Sequence, residues 1–368
     1  MNTSRRQFVQ TLGAGAVGLG LAAASSSVGA QATNTATNAV RTGSRKMIIR
    51  VDDVGHSRVH NIGTFEAIDG GMVTAVDIML DSPGTEDALE RLKVYPWLSL
   101  GWHMHMWGAP VLPASRVPSL VEKGGQFDGR FKLGLAQAQD VVFDEAVAEL
   151  RAQLDRCLKI LGRIPDTGSA GNPNSPWGRA IRQVNDEFGI VYGHMTSPPA
   201  NEKYLKKIAD AQKAGEEWAK YYSTNPGGSQ ADPKWAHRKI VNLAGTTAYV
   251  DLLTDSISKV EREYDPVLFY TEDRSGILQQ PADVITTQSW HPGYVDYYVY
   301  RLGERVNRPR AQQFVVGRTQ DVAALCDPRL KNWIRQHRIE LVNFRDALYG
   351  TREFQNHLRI VGSDLAIA

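Results

Sequence analysis

The chain has 368 residues, of which 42% are hydrophobic and 22% charged, an ordinary globular composition with ample length for a buried core. The formal net charge is only +2, so no global basic field favours nucleic acid or an anionic membrane as a partner. The two cysteines, Cys157 and Cys326, lie far apart in the sequence. We expect two isolated buried thiols, and a disulfide between them is left open.

Residues 1–32 have the pattern of a twin-arginine signal peptide. Arg5 and Arg6 are followed by Phe8, and a Gly- and Ala-rich run, too short to span a bilayer stably, comes next. Residues 33–45 are expected to be a flexible mature N-terminus, because they are rich in Thr, Asn and Ala. We therefore expect export by the twin-arginine machinery to the periplasm or beyond, without a stable membrane anchor. A cytoplasmic protein with a disordered tail is the alternative.

From residue 46 onward, the chain alternates between predicted strands and predicted helices. Strands are predicted at Met47–Val51, Val73–Leu80, Trp97–Met106 and Gly189–Gly193, and helices at Asn61–Asp69, Thr85–Val94, Phe143–Gly162 and Ala180–Phe188. This alternation is typical of an α/β protein with a parallel sheet or barrel, whose ligands bind at the carboxyl ends of the strands. Residues 201–236 are polar and then Gly/Pro-rich, which predicts an insertion over the site.

Two adjacent aspartates, Asp52 and Asp53, end the first predicted strand. Neighbouring carboxylates are a costly arrangement unless a positive group lies beside them. Side chains alternate along a strand, so one carboxylate could bind a metal ion while the other accepts a proton. Taken alone, an ordinary loop-capping pair is the alternative.

The third predicted strand carries His103 and His105, two positions apart and therefore on one face. Such a pair can present two imidazoles to zinc, at about 2.0–2.1 Å each. With the aspartate pair on an earlier strand, the pattern predicts a divalent metal site. Zinc is favoured, magnesium or another divalent ion is the alternative, and His-x-His also suits amidohydrolase chemistry.

A further histidine, His291, precedes Pro292 and Gly293. The proline ring and the turn fix the backbone at this position. That rigid presentation suits a general acid or a group that contacts a ligand.

In order and spacing, these motifs resemble the YdjC-like carbohydrate deacetylases. The matching segments are residues 49–55, 71–75, 100–103, 108–113, 291–294 and 318–345. The resemblance implies a single-domain, distorted (β/α) barrel of the polysaccharide-deacetylase type over residues 46–350, with a C-terminal tail at 351–368. It also implies a divalent metal and the removal of acetyl groups from N-acetylated sugars.

Carried over by position, the resemblance implies Asp53 and His103 as metal ligands, Asp52 as the general base and His291 as a site histidine and candidate acid. The family's third histidine ligand is missing from residues 164–177. His105 is the first candidate to replace it, and His194 is the second. Five residues are predicted to contact the substrate: Trp107, Asn172, Asn174, His194 and Tyr294. Tryptophans 102, 177 and 290 are also candidates for stacking on a sugar, with burial in the core as the alternative.

The leading hypothesis is a metal-dependent hydrolase that removes acetyl groups from an N-acetylated or O-acylated carbohydrate outside the cytoplasm. The second hypothesis is a periplasmic carbohydrate-binding protein on the same barrel, with a decayed catalytic centre. Amide against ester, the sugar itself and a homodimer are left open.

Overall fold

The strand that ends at the aspartate pair lies at the centre of the sheet. This strand, β1 (Lys46–Val54), is buried from Met47 onward and pairs with three other strands. The structure is a computed structural model that describes residues 45–104, 106–199, 202–216, 219, 228–243, 264–306 and 311–367. Because β1 has neighbouring strands on both sides, the side chains at the carboxyl end of this strand are held inside the molecule.

Within the described residues, seven strands form one sheet in which every strand pair is parallel. The strands after β1 are β2 (Ala75–Ile78), β3 (Ser99–Trp102), β4 (Thr167–Gly168), β5 (Ile240–Asn242), β6 (Ile285–Trp290) and β7 (Glu340–Leu341). Their order is β4-β3-β2-β1-β6-β5, and β7 also pairs with β1. Parallel neighbours require crossover connections, which this chain makes with helices. The predicted α/β fold class is confirmed, as a parallel half-barrel.

The helices connect and cover the strands. Those after β1, β2 and β3 are Arg58–Asp69, Thr85–Leu92 and Phe143–Leu161, followed by Pro176–Phe188, Glu202–Lys213, Pro233–Ala236, Pro266–Thr271, Tyr297–Val306, Ala311–Leu325, Pro328–Gln336, Phe344–Tyr349 and Glu353–Ile360. Phe143–Leu161 has acidic residues in its first turn and ends at Gly162, whose φ of 83° suits a residue without a Cβ. The four predicted helices are confirmed, within a few residues at their ends.

Three predicted strands are longer in the prediction than in the structure, and one of them, Val73–Leu80, is reduced to β2, Ala75–Ile78. β3 ends at Trp102 rather than at Met106, because its partner β2 ends at Ile78, directly opposite. The strand from which His103 and His105 were predicted to share a face therefore ends before both of them, and His105 itself lies outside the described residues. The strand predicted at Gly189–Gly193 is reduced to a bridge between Val191 and Thr167.

Three of the candidate stacking tryptophans belong to the core. Trp102, Trp177 and Trp290 are each at most 2% exposed, so they cannot present a face to a sugar. Trp290 instead stacks on Tyr270, with ring centroids 4.6 Å apart. Both cysteines are free thiols, and the predicted burial is correct for Cys157 but wrong for Cys326, which is exposed.

The structure describes the C-terminal tail but not the predicted leader. The predicted leader lies outside the described residues. The predicted tail contains the helix Glu353–Ile360, which packs Phe354 and Leu358 into the core. Within the described ranges, no helix is both long enough and apolar enough to cross a membrane.

The cap of the helix Phe344–Tyr349 supports a test of the fold. The fully buried side chain of Asn343 accepts a hydrogen bond from the Asp346 N–H and donates one to the Trp97 carbonyl, each at 2.8 Å. Asn343→Ala removes both, so we expect a loss of about 2–3 kcal/mol in the free energy of unfolding, measured by denaturant titration. The exposed side chain of the cap Asp232 accepts a hydrogen bond from the Lys234 N–H, within its own helix end. Asp232→Ala should cost about 1 kcal/mol or less, and equal losses would contradict the structural role of Asn343.

Candidate metal centre

The aspartate pair lies where β1 leaves the sheet. The pairing of β1 with β2 is irregular between Val51 and Val54, and Asp53 has a φ of 62°. For a residue other than glycine, this left-handed backbone conformation costs on the order of 1 kcal/mol, and it persists only where the surroundings hold the residue in place. Gly55, with a φ of 93°, completes the turn.

Asp53 is held from two sides and is completely buried. His103 Nε2 lies 3.0 Å from its Oδ1, and Arg318 Nη2 donates to its Oδ2 at 2.5 Å. Arg318, also buried, lies on the helix Ala311–Leu325 and contacts His60 Nε2 through Nη1 at 2.8 Å. A buried carboxylate is tolerated when it is paired and hydrogen-bonded in this way. These contacts explain how the strained position of Asp53 is maintained.

Asp52 has its own guanidinium partner on the same strand. Arg50 donates to both of its oxygens, at 2.7 and 3.0 Å, and to the Ser289 hydroxyl of β6. Burial opposes the ionisation of Asp52, but the Arg50 charge, with His103 and His291, outweighs it and holds the pKa of Asp52 below its usual value. Asp52 is therefore ionised at neutral pH, as a proton acceptor must be.

A third carboxylate, which sequence reasoning missed, completes the cluster. Asp77 of β2 lies with Asp52 and His103 such that ligand atoms of all three fall within 4.8 Å of one another. Within the described residues, these three side chains form the group that could hold a metal ion by this distance criterion. Its only signal in the sequence is an acid in the middle of the apolar strand Ala75–Ile78.

The electrostatics of this cluster favour a cation. Burial works against a charged His103, but the carboxylates of Asp52, Asp53 and Asp77 outweigh it and raise its pKa to about 9. Burial, with the neighbouring carboxylates, raises the pKa of Asp77 to about 6 against the pull of Arg50. Two or three carboxylate oxygens and one imidazole nitrogen form a donor set suited to a divalent ion. The residues present therefore fit the metal that the sequence predicts.

His291 lies close to Asp52. Its Nε2 is 4.0 Å from Asp52 Oδ2, and its backbone N–H donates to Asp321 Oδ2 at 2.8 Å. The Pro292 carbonyl accepts from the Thr64 hydroxyl at 2.7 Å. Gly293 is required here, because a Cβ would come within 2.2 Å of the His60 ring. The rigid presentation predicted for the His-Pro-Gly segment thus arises from packing on the helix Arg58–Asp69.

A cavity of about 250 Å³ opens beside the cluster, at the carboxyl ends of β2, β3 and β4. Its lining includes Asp77 and His103, together with Thr167, His194 and Phe344. His194 is 4% exposed, and neither ring nitrogen has a hydrogen-bond partner among the described residues. Burial, together with the charge of Arg50, lowers the pKa of His194 to about 3. A neutral imidazole therefore faces the cavity.

The other residues predicted to contact substrate lie apart from this cavity lining. Trp107 is half-buried, with its ring centroid 5.6 Å from that of His56. Asn172 and Asn174 are exposed, and the Asn174 N–H donates to Asn172 Oδ1 at 3.0 Å. The Tyr294 hydroxyl donates to Glu66 at 2.6 Å. Their contact with substrate stays a prediction.

The part of the chain that carries the cluster is similar in sequence to a known protein family. The model of the YdjC-like protein family matches residues 46–166. A carbohydrate deacetylase of Halalkalibacterium halodurans is 30% identical over 176 residues, which cover 46% of this chain and 73% of that protein. The chain belongs to the YdjC-like family. The matched residues include β1, β2 and β3, which carry the cluster.

Other relatives are matched over shorter segments. A carbohydrate deacetylase of Brevibacillus brevis is 38% identical over 30% of this chain and 43% of its own length. A chitooligosaccharide deacetylase of Proteus mirabilis is 32% identical over 33% of this chain and 46% of its own length. The chain thus spans about half the length of these curated relatives. Among solved structures, a protein of Enterococcus faecalis V583, by name a cellobiose-phosphate cleavage protein, aligns with 83% of this chain and 99% of its own. Its TM-score is 0.51 at 18% identity, which shows a shared fold.

The neutral state of His194 predicts a pH dependence of stability. Its pKa is about 3 in the folded protein but about 6.5 in an unfolded chain. The unfolded state therefore binds more protons below pH 6.5, and stability is lost as the pH falls through that value. From pH 7 to pH 5 this one residue should cost about 2 kcal/mol. The decline measured by denaturant titration should be smaller by that amount in His194→Gln, and identical declines would contradict the buried neutral imidazole.

Proposed function

We propose that this protein is a metal-dependent hydrolase that removes acetyl groups from an N-acetylated or O-acylated carbohydrate. The observation that carries the proposal is the cluster of Asp52, Asp77 and His103 at the carboxyl ends of adjacent strands, in a chain of the YdjC-like family. Ligands of parallel α/β sheets bind at this edge. The names of the Brevibacillus, Halalkalibacterium and Proteus relatives support a carbohydrate and an acetyl group as the class of substrate.

Asp53 and His103, the metal ligands predicted from the sequence, are proposed to bind the ion. Asp53 Oδ1 and His103 Nε2, 3.0 Å apart, are close enough to approach one ion together. Zinc is the first choice and magnesium or another divalent ion the alternative, since imidazole suits zinc and carboxylates accept harder ions. When bound, such an ion would polarise the carbonyl of the substrate and lower the pKa of a water molecule. His105 remains a predicted ligand outside the described residues.

Asp52 is proposed as the proton acceptor. Its pKa is held low, and it lies within 4.8 Å of the potential ligand atoms of Asp77 and His103, within reach of a water at the cluster. As water adds to the carbonyl carbon, one of its protons passes to Asp52. The Arg50 guanidinium fixes the orientation of the carboxylate during this transfer.

His291 is proposed to deliver a proton to the leaving group. The bond between the acyl carbon and the sugar nitrogen or oxygen breaks, and the leaving atom must gain a proton. Nε2 of His291 lies 4.0 Å from Asp52 Oδ2, so one bridging water would connect them and let His291 relay the proton that Asp52 has accepted. The products are then acetate and the free amine or alcohol.

The cavity beside the cluster is the proposed place of the acyl group. A volume of about 250 Å³ is below the roughly 300–1,000 Å³ of typical ligand pockets. It suits a small acyl group and part of one sugar ring, with His194 as a hydrogen-bonding partner. Trp107, Asn172, Asn174 and Tyr294 are proposed to contact more distant parts of the carbohydrate.

The site of action is proposed to lie outside the cytoplasm. The support is the twin-arginine pattern of residues 1–32. Translocation by that machinery carries folded proteins, so the ion could be acquired before export. A homodimer is left as a proposal for solution measurement.

A second candidate function is carbohydrate binding without hydrolysis. The observation that favours it is the use of both aspartates by guanidinium groups, Asp52 by Arg50 and Asp53 by Arg318. Each ion pair competes with a metal ion for the same carboxylate. Metal content and hydrolysis measured on one preparation separate the two functions.

The hydrolase proposal predicts both metal retention and catalysis. The purified protein should hold close to one divalent ion, measured by elemental analysis, and release acetate from an N-acetylglucosamine oligomer or an O-acetylated oligosaccharide. His103→Ala should lose the ion, and so should Asp53→Ala. Asp52→Asn should keep the ion but lower kcat by about 10²–10⁴-fold, because it removes the proton acceptor.

The control for these variants is Asp327→Asn. Asp327 pairs with Arg329 at 2.7 Å and caps a helix away from the cluster, and asparagine caps helices equally well. It should retain both metal and activity. Absence of a divalent ion, with undiminished sugar binding in His103→Ala, would favour the binding protein instead.

A further inference from the structure

The position of Asp77 is set by the sheet. Its neighbours on β2, Val76 and Ile78, are completely buried, and its register partner on β3 is Gly101. The N–H of His103 donates to the Ile78 carbonyl at 2.9 Å. This hydrogen bond keeps His103 beside β2 after β3 has ended. Asp77 and His103 therefore meet because of backbone pairing, independently of their own side-chain contacts.

The Asp77 carboxylate is only partly compensated by the protein. Its Oδ2 lies 3.4 Å from Arg50 Nε and 3.9 Å from His103 Nδ1. Its Oδ1 is buried and has no hydrogen-bond partner among the described residues. A buried charged oxygen without a partner costs more than 1–3 kcal/mol, so native structures retain one only where something else compensates it.

Gly101 makes room for this oxygen. A Cβ at position 101 would lie 1.9 Å from Asp77 Oδ1, so any other residue would displace the carboxylate. The φ of Gly101 is not in the left-handed region, so the backbone itself does not require glycine. The requirement comes from the approach of Asp77.

A second buried polar group faces the same space. His194 lies on the cavity wall with Asp77 and His103, is 4% exposed, and has no hydrogen-bond partner for either ring nitrogen among the described residues. A carboxylate oxygen and an imidazole that reach one cavity without hydrogen-bond partners among the described residues indicate a ligand in that cavity.

The balance of charge gives Asp77 a specific importance. Arg50 donates to both oxygens of Asp52, and Arg318 donates to Asp53. Each member of the aspartate pair thus has a guanidinium of its own, whereas Asp77 shares Arg50 at the longer distance of 3.4 Å. Asp77 is therefore the least compensated of the three carboxylates, which leaves it available to a dication.

We propose that Asp77 is a protein ligand of the metal, supplying a carboxylate oxygen that completes the site beside His103 and the aspartate pair. This inference rests on the metal dependence proposed above. With Asp77 in place, carboxylate oxygens outnumber imidazole nitrogens among the described ligands. The site should therefore bind Mn²⁺ as well as Zn²⁺, because manganese accepts carboxylate ligands readily.

The test is metal affinity in protein stripped with a chelator, measured by calorimetry with Zn²⁺ and by the loss of the free Mn²⁺ electron paramagnetic resonance signal. The full-length parent should bind one ion of either kind. Asp77→Asn keeps the shape of the side chain but removes its charge. It should weaken binding of both ions at least about 10-fold, because loss of a residue that only hydrogen-bonds to a metal ligand already has an effect of that size. Gly101→Ala leaves Asp77 chemically intact but displaces its carboxylate, and should weaken binding in the same way.

Asp327→Asn is the matched control. Its side chain is 19% exposed and pairs with an arginine, close to the 14% exposure and Arg50 contact of Asp77. It should bind metal as the parent does. Thermal unfolding in the presence of chelator checks that both test variants are folded, and a variant that binds normally while folded counts against Asp77 as a ligand.

The outcomes separate this inference from the proposed function. If the parent binds a divalent ion, His103→Ala loses it and Asp77→Asn retains full affinity, the role of Asp77 is wrong while metal dependence stands. If the parent binds neither Zn²⁺ nor Mn²⁺, both the role of Asp77 and the metal-dependent function are wrong. Weakened binding in both Asp77→Asn and Gly101→Ala, with Asp327→Asn unchanged, supports Asp77 as a ligand.

Discussion

Three carboxylates buried at the end of one sheet must be compensated, and this requirement organises the rest of the site. Asp52, Asp53 and Asp77 lie on adjacent strands, where the desolvation of so much negative charge would be prohibitive without cations. Arg50 enters from the same strand as Asp52, and Arg318 from a helix far along the chain. The two arginines reduce the repulsion, but the carboxylates still outnumber them. Against the effect of burial, that remaining excess raises the pKa of His103 to about 9, and a metal ion bound there would offset it in place of the His103 proton.

The same network explains features that appear unrelated when taken singly. Asp53 adopts a strained backbone conformation because His103 and Arg318 hold its carboxylate from two directions. Arg318 reaches it from a helix whose next turn carries Asp321, and Asp321 accepts the backbone N–H of His291. The helix Ala311–Leu325 therefore positions both the Asp53 carboxylate and the proposed acid, His291. A change on this helix should be felt at two points of the site.

The fold and part of the site were predictable because their signals are local. The apolar run at Met47–Val51, the amphipathic pattern of Phe143–Leu161 and the glycine after it follow from periodicity and capping. The strand ends were less predictable: β3 stops at Trp102 because β2 offers no further partner, which the residues of β3 cannot reveal. Burial of Trp102, Trp177 and Trp290 likewise depends on the packing around each ring.

By itself, the sequence determined the α/β class, the aspartate pair at a strand end, His103 after a later strand and His291 in a rigid turn. Each is encoded within a few neighbouring residues, where alternation and turn chemistry apply. Only the tertiary structure decided that Asp77 joins them, that Arg50 and Arg318 neutralise the pair, and that His194 faces the same cavity. The reason is that parallel pairing of β1, β2 and β3 and the packing of a distant helix bring these residues together. No pattern along the chain records those contacts.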